Sequence, residues 1–201
     1  MIRLTHIALM LGLTVAAVSV GAEAQLYRGY ETPAYEVTVK KGDFERRDYA
    51  PQVVAEVMVR GDREQAVSRG FRVLADYIFG GNVDEAKVAM TTPVSQQASD
   101  DDDGPNLWVV RFGMPQGYTL DNLPTPESAA IRLVETPAED QLVVQFSGRW
   151  SDTLLTQKEL ELRAFAAAHG LEASGAPRFY FYDGPFTLPW TRRNEVALVL
   201  N

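Results

Sequence analysis

Alternating apolar and polar side chains predict β-strands in the first half of the chain. The strand-like segments are residues 35–39, 44–49, 53–59, 88–94 and 107–114. Between the third and fourth segments, apolar residues recur at the spacing of a helix. The apolar positions of this helix are Val67, Phe71, Leu74 and Ile78. Asp62 is a suitable N-cap, and Gly80-Gly81 marks the end of the helix.

The second half of the chain repeats this order of elements. Its strand-like segments are residues 131–135, 141–146, 177–182 and 195–200. A helix is predicted over about 152–169, and Gly170 is its stop signal. The apolar positions of this second helix are Leu155, Leu162, Phe165 and Ala166. We therefore predict one α+β domain over residues 35–201, in which residues 35–114 and 128–200 are duplicated halves.

The first 24 residues have a different pattern. An apolar run over residues 7–20 follows a short segment with one arginine, and Ala22-Glu23-Ala24 supplies small residues at a cleavage site. This pattern predicts a signal peptide over residues 1–24, cleaved before Gln25, and hence a periplasmic or secreted protein. The alternative, a membrane anchor, needs about 20 apolar residues, so no stable membrane span is expected. Residues 25–34 are predicted to be an irregular lead-in.

Composition narrows the range of functions. The chain carries a net charge of −8 and no basic block, so nucleic acid is not an expected partner. It has no cysteine, which excludes disulfides, thiol nucleophiles and thiolate metal sites. After cleavage, His169 is the single histidine, and no motif of a hydrolase or phosphate-binding loop is present. The run Asp100–Asp103 lacks the spacing of a calcium loop and is expected to be a solvated loop. We predict no catalytic residues and no protein metal site.

Several short segments of the sequence resemble motifs of the SOUL haem-binding family. They are Tyr35-Glu36-Val37, residues 42–49 (Gly-Asp-Phe-Glu-Arg-Arg-Asp-Tyr), 89–94 (Ala-Met-Thr-Thr-Pro-Val), 146–148 (Phe-Ser-Gly) and 193–196 (Arg-Asn-Glu-Val). The resemblance covers nearly all of the chain after residue 24. It implies a distorted β-barrel made of two pseudo-symmetric βαββ repeats, with two external helices. It also implies likeness to GyrI-like and BmrR-type effector-binding domains, which bind small amphiphiles in a cleft between the repeats.

The resemblance further implies a tetrapyrrole site on one face of the first helix and on the segment before the Arg-Asn-Glu-Val motif. The matching residues are Ser68, Phe71, Arg72 and Ala75 on the helix, and Leu188 and Trp190 on the segment. Apolar side chains could cover a porphyrin face, and Arg72 could pair with a propionate. The alternative is that Phe71 belongs to the core and that Arg72 is merely solvated.

The expected cofactor is haem bound without an axial histidine. Some members of the family have a histidine before the tyrosine of the second strand, where this chain has Asp48. His169 is expected to bond or pack at the end of the second helix. Three other side chains could ligate iron by chemistry alone: Tyr49, Met90 and Tyr182.

Three functions remain open from the sequence. The first is an exported, non-catalytic protein that binds haem or a related tetrapyrrole for buffering, transport or scavenging. The second is a binding module for another small amphiphile, and the third is a carboxylate-based hydrolase on the same fold. Glu195 bears on the second of these functions. In related effector domains, an acidic residue in the last strand faces a cationic ligand. We expect Glu195 instead to pair with Arg192 or Arg193.

Overall fold

The computed structural model describes residues 24–99 and 106–201. Residues 1–23 of the expected signal peptide and the run Asp100–Asp103 lie outside the described residues. The strands are β1 (Leu26–Tyr27), β2 (Tyr30–Glu31), β3 (Tyr35–Lys41), β4 (Phe44–Tyr49), β5 (Gln52–Arg60), β6 (Val94–Ala98), β7 (Leu107–Gly113), β8 (Ile131–Thr136), β9 (Glu139–Phe146), β10 (Ala173–Phe181) and β11 (Asn194–Leu200). The helices are α1 (Arg63–Ile78) and α2 (Asp152–Ala168), with a 3₁₀ turn at Pro189–Thr191. Neither α1 nor α2 is long and apolar enough to cross a membrane.

Nine of the strands form one antiparallel sheet in the order β3-β4-β9-β11-β10-β6-β7-β5-β8. The two halves of the chain meet at the pairing of β6 with β10, and the order of elements mirrors itself about this centre. Each half gives one strand to the other, because β4 pairs with β9 and β8 pairs with β5. The predicted α+β fold of two repeats is confirmed, in the form of a curled sheet whose edges are β3 and β8.

Both helices pack on the same face of the sheet. α1 lies on β5 and β7, and α2 lies on β9, β10 and β11. Leu74 and Tyr77 of α1 are fully buried against strand residues such as Val110. Leu162 of α2 is fully buried in the same way against residues such as Leu198. The helix face of the sheet therefore holds the apolar core, and the opposite face is called the inner face below.

Local signals in the sequence account for the ends and the packing of the helices. The Asp62 carboxylate accepts a hydrogen bond of 2.9 Å from the Gln65 amide at the start of α1. Gly170 follows α2 with a φ of +65°, a conformation that glycine adopts without strain. Gly70 allows α1 to approach the sheet closely, since a Cβ there would lie 2.7 Å from Val110 Cγ2. The predicted bounds of both helices are confirmed within a few residues.

Two segments differ from the prediction. The lead-in at 25–34 contains a small hairpin, in which Leu26 pairs with Glu31. The strand predicted over 88–94 begins only at Val94. Pro93 has no N–H to donate to a neighbouring strand. The Thr92 hydroxyl donates a hydrogen bond of 2.9 Å to the Tyr182 carbonyl. The segment before Val94 is held by isolated hydrogen bonds, among them one of 2.9 Å from the Thr92 amide to the Glu31 carbonyl, and it forms no continuous strand ladder.

Candidate functional site

The structure places the four helix residues of the expected tetrapyrrole site on the outer side of α1. Ser68, Phe71 and Arg72 are exposed, and Ala75 is half-buried. The Phe71 side chain is 45% exposed, with its ring 5.3 Å from that of Phe112 in an edge-to-face contact. Phe71 is therefore anchored to the core at one edge and open to solvent at the other. The Arg72 Nε donates to the Ser68 carbonyl at 3.2 Å.

Apolar side chains that the site prediction did not include surround Phe71. Phe79 and Met90 are both exposed, and with Phe71 and Ala75 they line a cavity of about 60 Å³. We call these four residues the α1 surface. Contiguous exposed apolar side chains on a soluble protein mark binding sites, because isolated ones are ordinary and clusters are not. This surface suits the flat apolar face of a ligand better than a deep, enclosed guest.

Leu188 and Trp190 lie on the connection between β10 and β11. Their side chains are 54% and 70% exposed. The Pro189 carbonyl accepts a hydrogen bond of 2.9 Å from the Gly148 amide, which fixes this connection beside the end of β9. Neither Leu188 nor Trp190 lines the cavity at the α1 surface. The four helix residues therefore share one side of α1, and Leu188 and Trp190 lie on the connection between β10 and β11.

The two positions considered for histidine ligation lie elsewhere. Asp48 is exposed on β4, and four strands intervene between β4 and β7, on which α1 packs. His169 ends α2, where its Nδ1 lies 2.8 Å from the Phe165 carbonyl and its ring stacks on that of Phe165 at 4.0 Å. The other ring nitrogen lies 3.3 Å from Lys41 Nζ. The predicted helix-end role of His169 is confirmed.

The tyrosines considered as iron ligands are buried on the inner face. Burial raises the pKa of both Tyr49 and Tyr182 well above the ordinary value, so both stay neutral phenols. Met90 is different, because its thioether belongs to the α1 surface. Within residues 24–99 and 106–201, no group of three or more histidine, aspartate or glutamate side chains could hold a metal ion.

Glu195 lies at the centre of a buried charge network on the inner face. Arg47 binds both carboxylate oxygens, with Nη1 2.9 Å from Oε2 and Nη2 3.0 Å from Oε1. Arg193 Nε donates to Oε1 at 2.8 Å, and the Tyr182 hydroxyl donates to Oε2 at 3.0 Å. The expected ion pair with Arg193 is confirmed, whereas Arg192 donates to backbone carbonyls instead. Because its lone pairs are already bonded, Glu195 is not arranged to receive a cationic ligand.

A second set of charge pairs on the inner face involves residues of both halves. Arg111 Nε donates to Glu56 at 2.7 Å, and Arg132 binds the other oxygen of the same carboxylate. Arg178 of β10 pairs with Glu139 of β9, across the intervening strand β11. Burial alone would raise the pKa of Glu56 and of Glu139. The hydrogen bonds and charges of the arginines outweigh burial, so both pKa values are lower than usual.

Acid is therefore expected to destabilise the fold. A carboxylate with a lowered pKa stabilises the folded state above its unfolded pKa of about 4.5, and this contribution is lost as pH falls through the folded pKa. The free energy of unfolding in urea should fall steadily below about pH 4.5. The Glu56→Gln variant should be less stable at pH 7 and should lose less stability between pH 7 and pH 3. An equal loss in both proteins would contradict this assignment.

Sequence reasoning missed the inner-face charges around Glu56 and two members of the α1 surface. Glu56 stands in the apolar strand Val-Val-Ala-Glu-Val-Met-Val, and a charge in such a strand is a usable signal of a buried partner. Phe79 is the residue that caps the end of α1, directly before Gly80-Gly81. Its apolar side chain lies beyond the last helical turn and is exposed. Met90 was considered only as a ligand by its chemistry, and its position beside Phe71 required the fold.

Comparison with known proteins identifies the fold and the family. The C-terminal domain of EcmrR is 11% identical with a TM-score of 0.59, and the match covers 83% of this chain and 98% of that domain. A hydrolase from Listeria innocua is 15% identical with a TM-score of 0.54, covering 82% and 94%. No curated protein matches significantly in sequence. The family model described as SOUL heme-binding protein matches residues 30–199. The chain therefore belongs to the SOUL heme-binding protein family.

Proposed function

We propose that this protein is an exported, non-catalytic binding protein for haem or a related tetrapyrrole, and that the α1 surface is its site. The observation that carries the proposal is the half-exposed Phe71, which lies among other exposed apolar side chains in a member of this family. Phe71, Phe79 and Met90 would cover one face of the macrocycle. Arg72, which is exposed one residue further along the helix, would pair with a propionate.

The side chains at the α1 surface suit the macrocycle better than its iron. Their contribution is apolar contact, which is the same for any porphyrin of this shape. Haem iron would bring ligand-binding and redox chemistry, and Met90 is the one side chain of this surface with a ligating atom. His169 and Asp48 lie elsewhere, as described above. We infer that affinity comes mainly from the apolar plane and the propionates.

Haemin and iron-free protoporphyrin are therefore expected to bind with affinities within about tenfold of each other, since a coordination bond would add more than about 1.4 kcal/mol. Absorbance titration of the purified protein measures both affinities. The His169→Ala variant should bind haemin as the parent does. Failure of both porphyrins to bind would contradict the proposed function. A hundredfold preference for haemin that disappears in Met90→Leu would show that the thioether ligates the iron.

Export is the second part of the proposal, and it rests on the sequence of the first 24 residues. The apolar run and the Ala-x-Ala site predict that the exported protein begins at Gln25. Intact mass measurement on periplasmic extract of a bacterial host tests this directly. The control is an Ala24→Arg variant, in which the small residue at the cleavage site is replaced. Uncleaved parent protein found only in the membrane fraction would contradict the expected processing.

A further inference from the structure

The connection between β10 and β11 exposes three large apolar side chains. Phe186, Leu188 and Trp190 are every second residue of residues 186–190, which we call the 186–190 loop. The Phe186 side chain is 98% exposed, more than any other large apolar residue in the part of the chain that the structure describes. A group of exposed apolar side chains indicates an interaction surface, because single ones are ordinary and groups are not.

Hydrogen bonds to its backbone hold the loop in this conformation. Arg192 Nε donates to the Thr187 carbonyl at 2.9 Å, and its Nη2 donates to the Pro185 carbonyl at 2.6 Å. From the N-terminal hairpin, Arg28 donates to the Thr191 carbonyl at 2.8 Å. The apolar side chains are therefore presented by a backbone that is already fixed. A surface that is ordered beforehand loses little conformational entropy when it binds.

Two arginines beside the loop carry charges that no carboxylate neutralises. Arg192 donates to carbonyls, as described above. Arg149 follows Gly148, whose amide is bonded to the loop at the Pro189 carbonyl. Arg149 is exposed and has no ion-pair partner among residues 24–99 and 106–201. The exposed apolar side chains thus have cationic neighbours.

The nearest carboxylates in the chain are already paired. The Asp183 side chain is only 2% exposed and lies 3.2 Å from Arg28 Nε. Asp152, three residues after Arg149, accepts a hydrogen bond of 2.7 Å from Arg63. The chain as a whole has a net charge of −8, but at physiological salt charges more than about 8 Å from a contact are largely screened. The surroundings of the loop are therefore locally positive.

We propose that the 186–190 loop attaches this protein reversibly to an anionic lipid surface. Phe186, Leu188 and Trp190 lie at the level of the lipid headgroups, a position that tryptophan favours. Arg149 and Arg192 lie beside the lipid phosphates. Attachment goes beyond the proposed tetrapyrrole binding and does not depend on it.

A lipid surface suits the loop better than a protein partner does. A stable protein interface uses about 20–30 residues on each side. The loop supplies three apolar side chains and two free cations. A few apolar side chains with basic neighbours are enough for reversible attachment to a bilayer, since both the apolar and the ionic contacts are then satisfied.

Cosedimentation of the purified protein with lipid vesicles tests the proposal. Vesicles of equal parts phosphatidylcholine and phosphatidylglycerol should bind the protein at least about tenfold more strongly than vesicles of phosphatidylcholine alone. This preference should diminish at high salt, because salt screens the arginines. Binding should also shift the tryptophan emission to shorter wavelength. The Trp190→Phe variant should lose most of this shift and remain bound.

Substitutions in the loop and beside it separate the apolar and ionic contributions. The double variant Phe186→Ser/Trp190→Ser should bind mixed vesicles at least about tenfold more weakly. Leu160→Ser is its matched control, because Leu160 is an exposed apolar residue of α2. Arg149→Glu should abolish the preference for the anionic lipid.

Lys41→Glu is the matched control for the charge change. Lys41 is exposed and lies beside His169, at the end of α2 opposite to Arg149. This variant should keep the lipid preference of the parent protein. All of the substituted side chains are exposed, and circular dichroism checks that each variant is folded.

Four results would overturn the proposal. The first two are equal binding to both kinds of vesicle and no binding to either. The third is an equal loss of binding in a loop variant and its control. The fourth is a concentration-dependent dimer, seen by size exclusion without lipid and lost in the double variant, which would assign the loop to a second copy of the chain.

Haemin titration without lipid distinguishes this surface from the proposed tetrapyrrole site. The double variant should bind haemin as the parent protein does, whereas Phe71→Asp should lose haemin binding and keep vesicle binding. Loss of haemin binding in the double variant, with vesicle binding retained, would return the loop to the tetrapyrrole site and overturn the proposal.

Discussion

Replacing Phe71 with aspartate is expected to lower the affinity for haemin about a hundredfold. Phe71 is the side chain of the α1 surface that joins the exposed patch to the core, through its contact with Phe112. An aspartate there places a carboxylate against the apolar plane of the porphyrin, and the loss of its hydration opposes binding. Absorbance titration of haemin into both proteins measures the difference.

The matched control is Leu160→Asp, which introduces the same charge at an exposed apolar residue of α2. This variant should bind haemin with unchanged affinity, since α2 packs on the opposite half of the sheet. Circular dichroism establishes that both variants are folded. Unchanged affinity in a folded Phe71→Asp protein would remove α1 from the site, and an equal loss in Leu160→Asp would show only a general effect of charge.

Replacing Arg47 with methionine is expected to lower the free energy of unfolding by about 3–5 kcal/mol. The side chains of Arg47 and Glu195 are 1% and 0% exposed. Methionine keeps much of the apolar stem but leaves Glu195 with Arg193 as its one remaining arginine. Removing one partner of a buried ion pair costs more than the pair itself contributes, because the other charge stays buried. Urea unfolding measures the change.

The neighbouring residue supplies the control for this experiment. Arg46 pairs with Asp140 on the other face of β4, and both side chains are partly exposed. Arg46→Met should therefore lower the free energy of unfolding by less than about 1 kcal/mol, since water replaces the lost partner. Equal losses in the two variants would show that the inner-face network is no more buried in solution than the outer pair.

Local signals made the helices and most strands predictable from the sequence. Capping at Asp62 and the stop at Gly170 depend on residues that are near each other in the chain, so the sequence alone contains them. Strand pairing is different, because alternation shows that a strand has two faces but not which strand lies beside it. Phe44 pairs with Val144, one hundred residues later, and nothing local encodes that partner. The segment before Val94 was misassigned because it makes only isolated backbone bonds, to Ile78 and Glu31, and no continuous ladder.

The site was predictable only where it lies on one element. Helical spacing placed Ser68, Phe71, Arg72 and Ala75 on one side of α1, but not the degree of their exposure. That exposure depends on how α1 lies on β5 and β7. Glu56 and Arg111 come from different strands and face inward together, so their association required the register of β5 and β7.

The exchange of β4 and β8 between the halves has a consequence for how the chain folds. β4 cannot pair with β9 until residues 139–146 are available, so the N-terminal half cannot complete its part of the sheet alone. Contacts between such distant residues make folding slow relative to chains with local contacts. During synthesis, the nascent N-terminal portion stays incomplete until about three quarters of the protein has been made. A chain that reaches its native state this late stays accessible to chaperones during most of its synthesis.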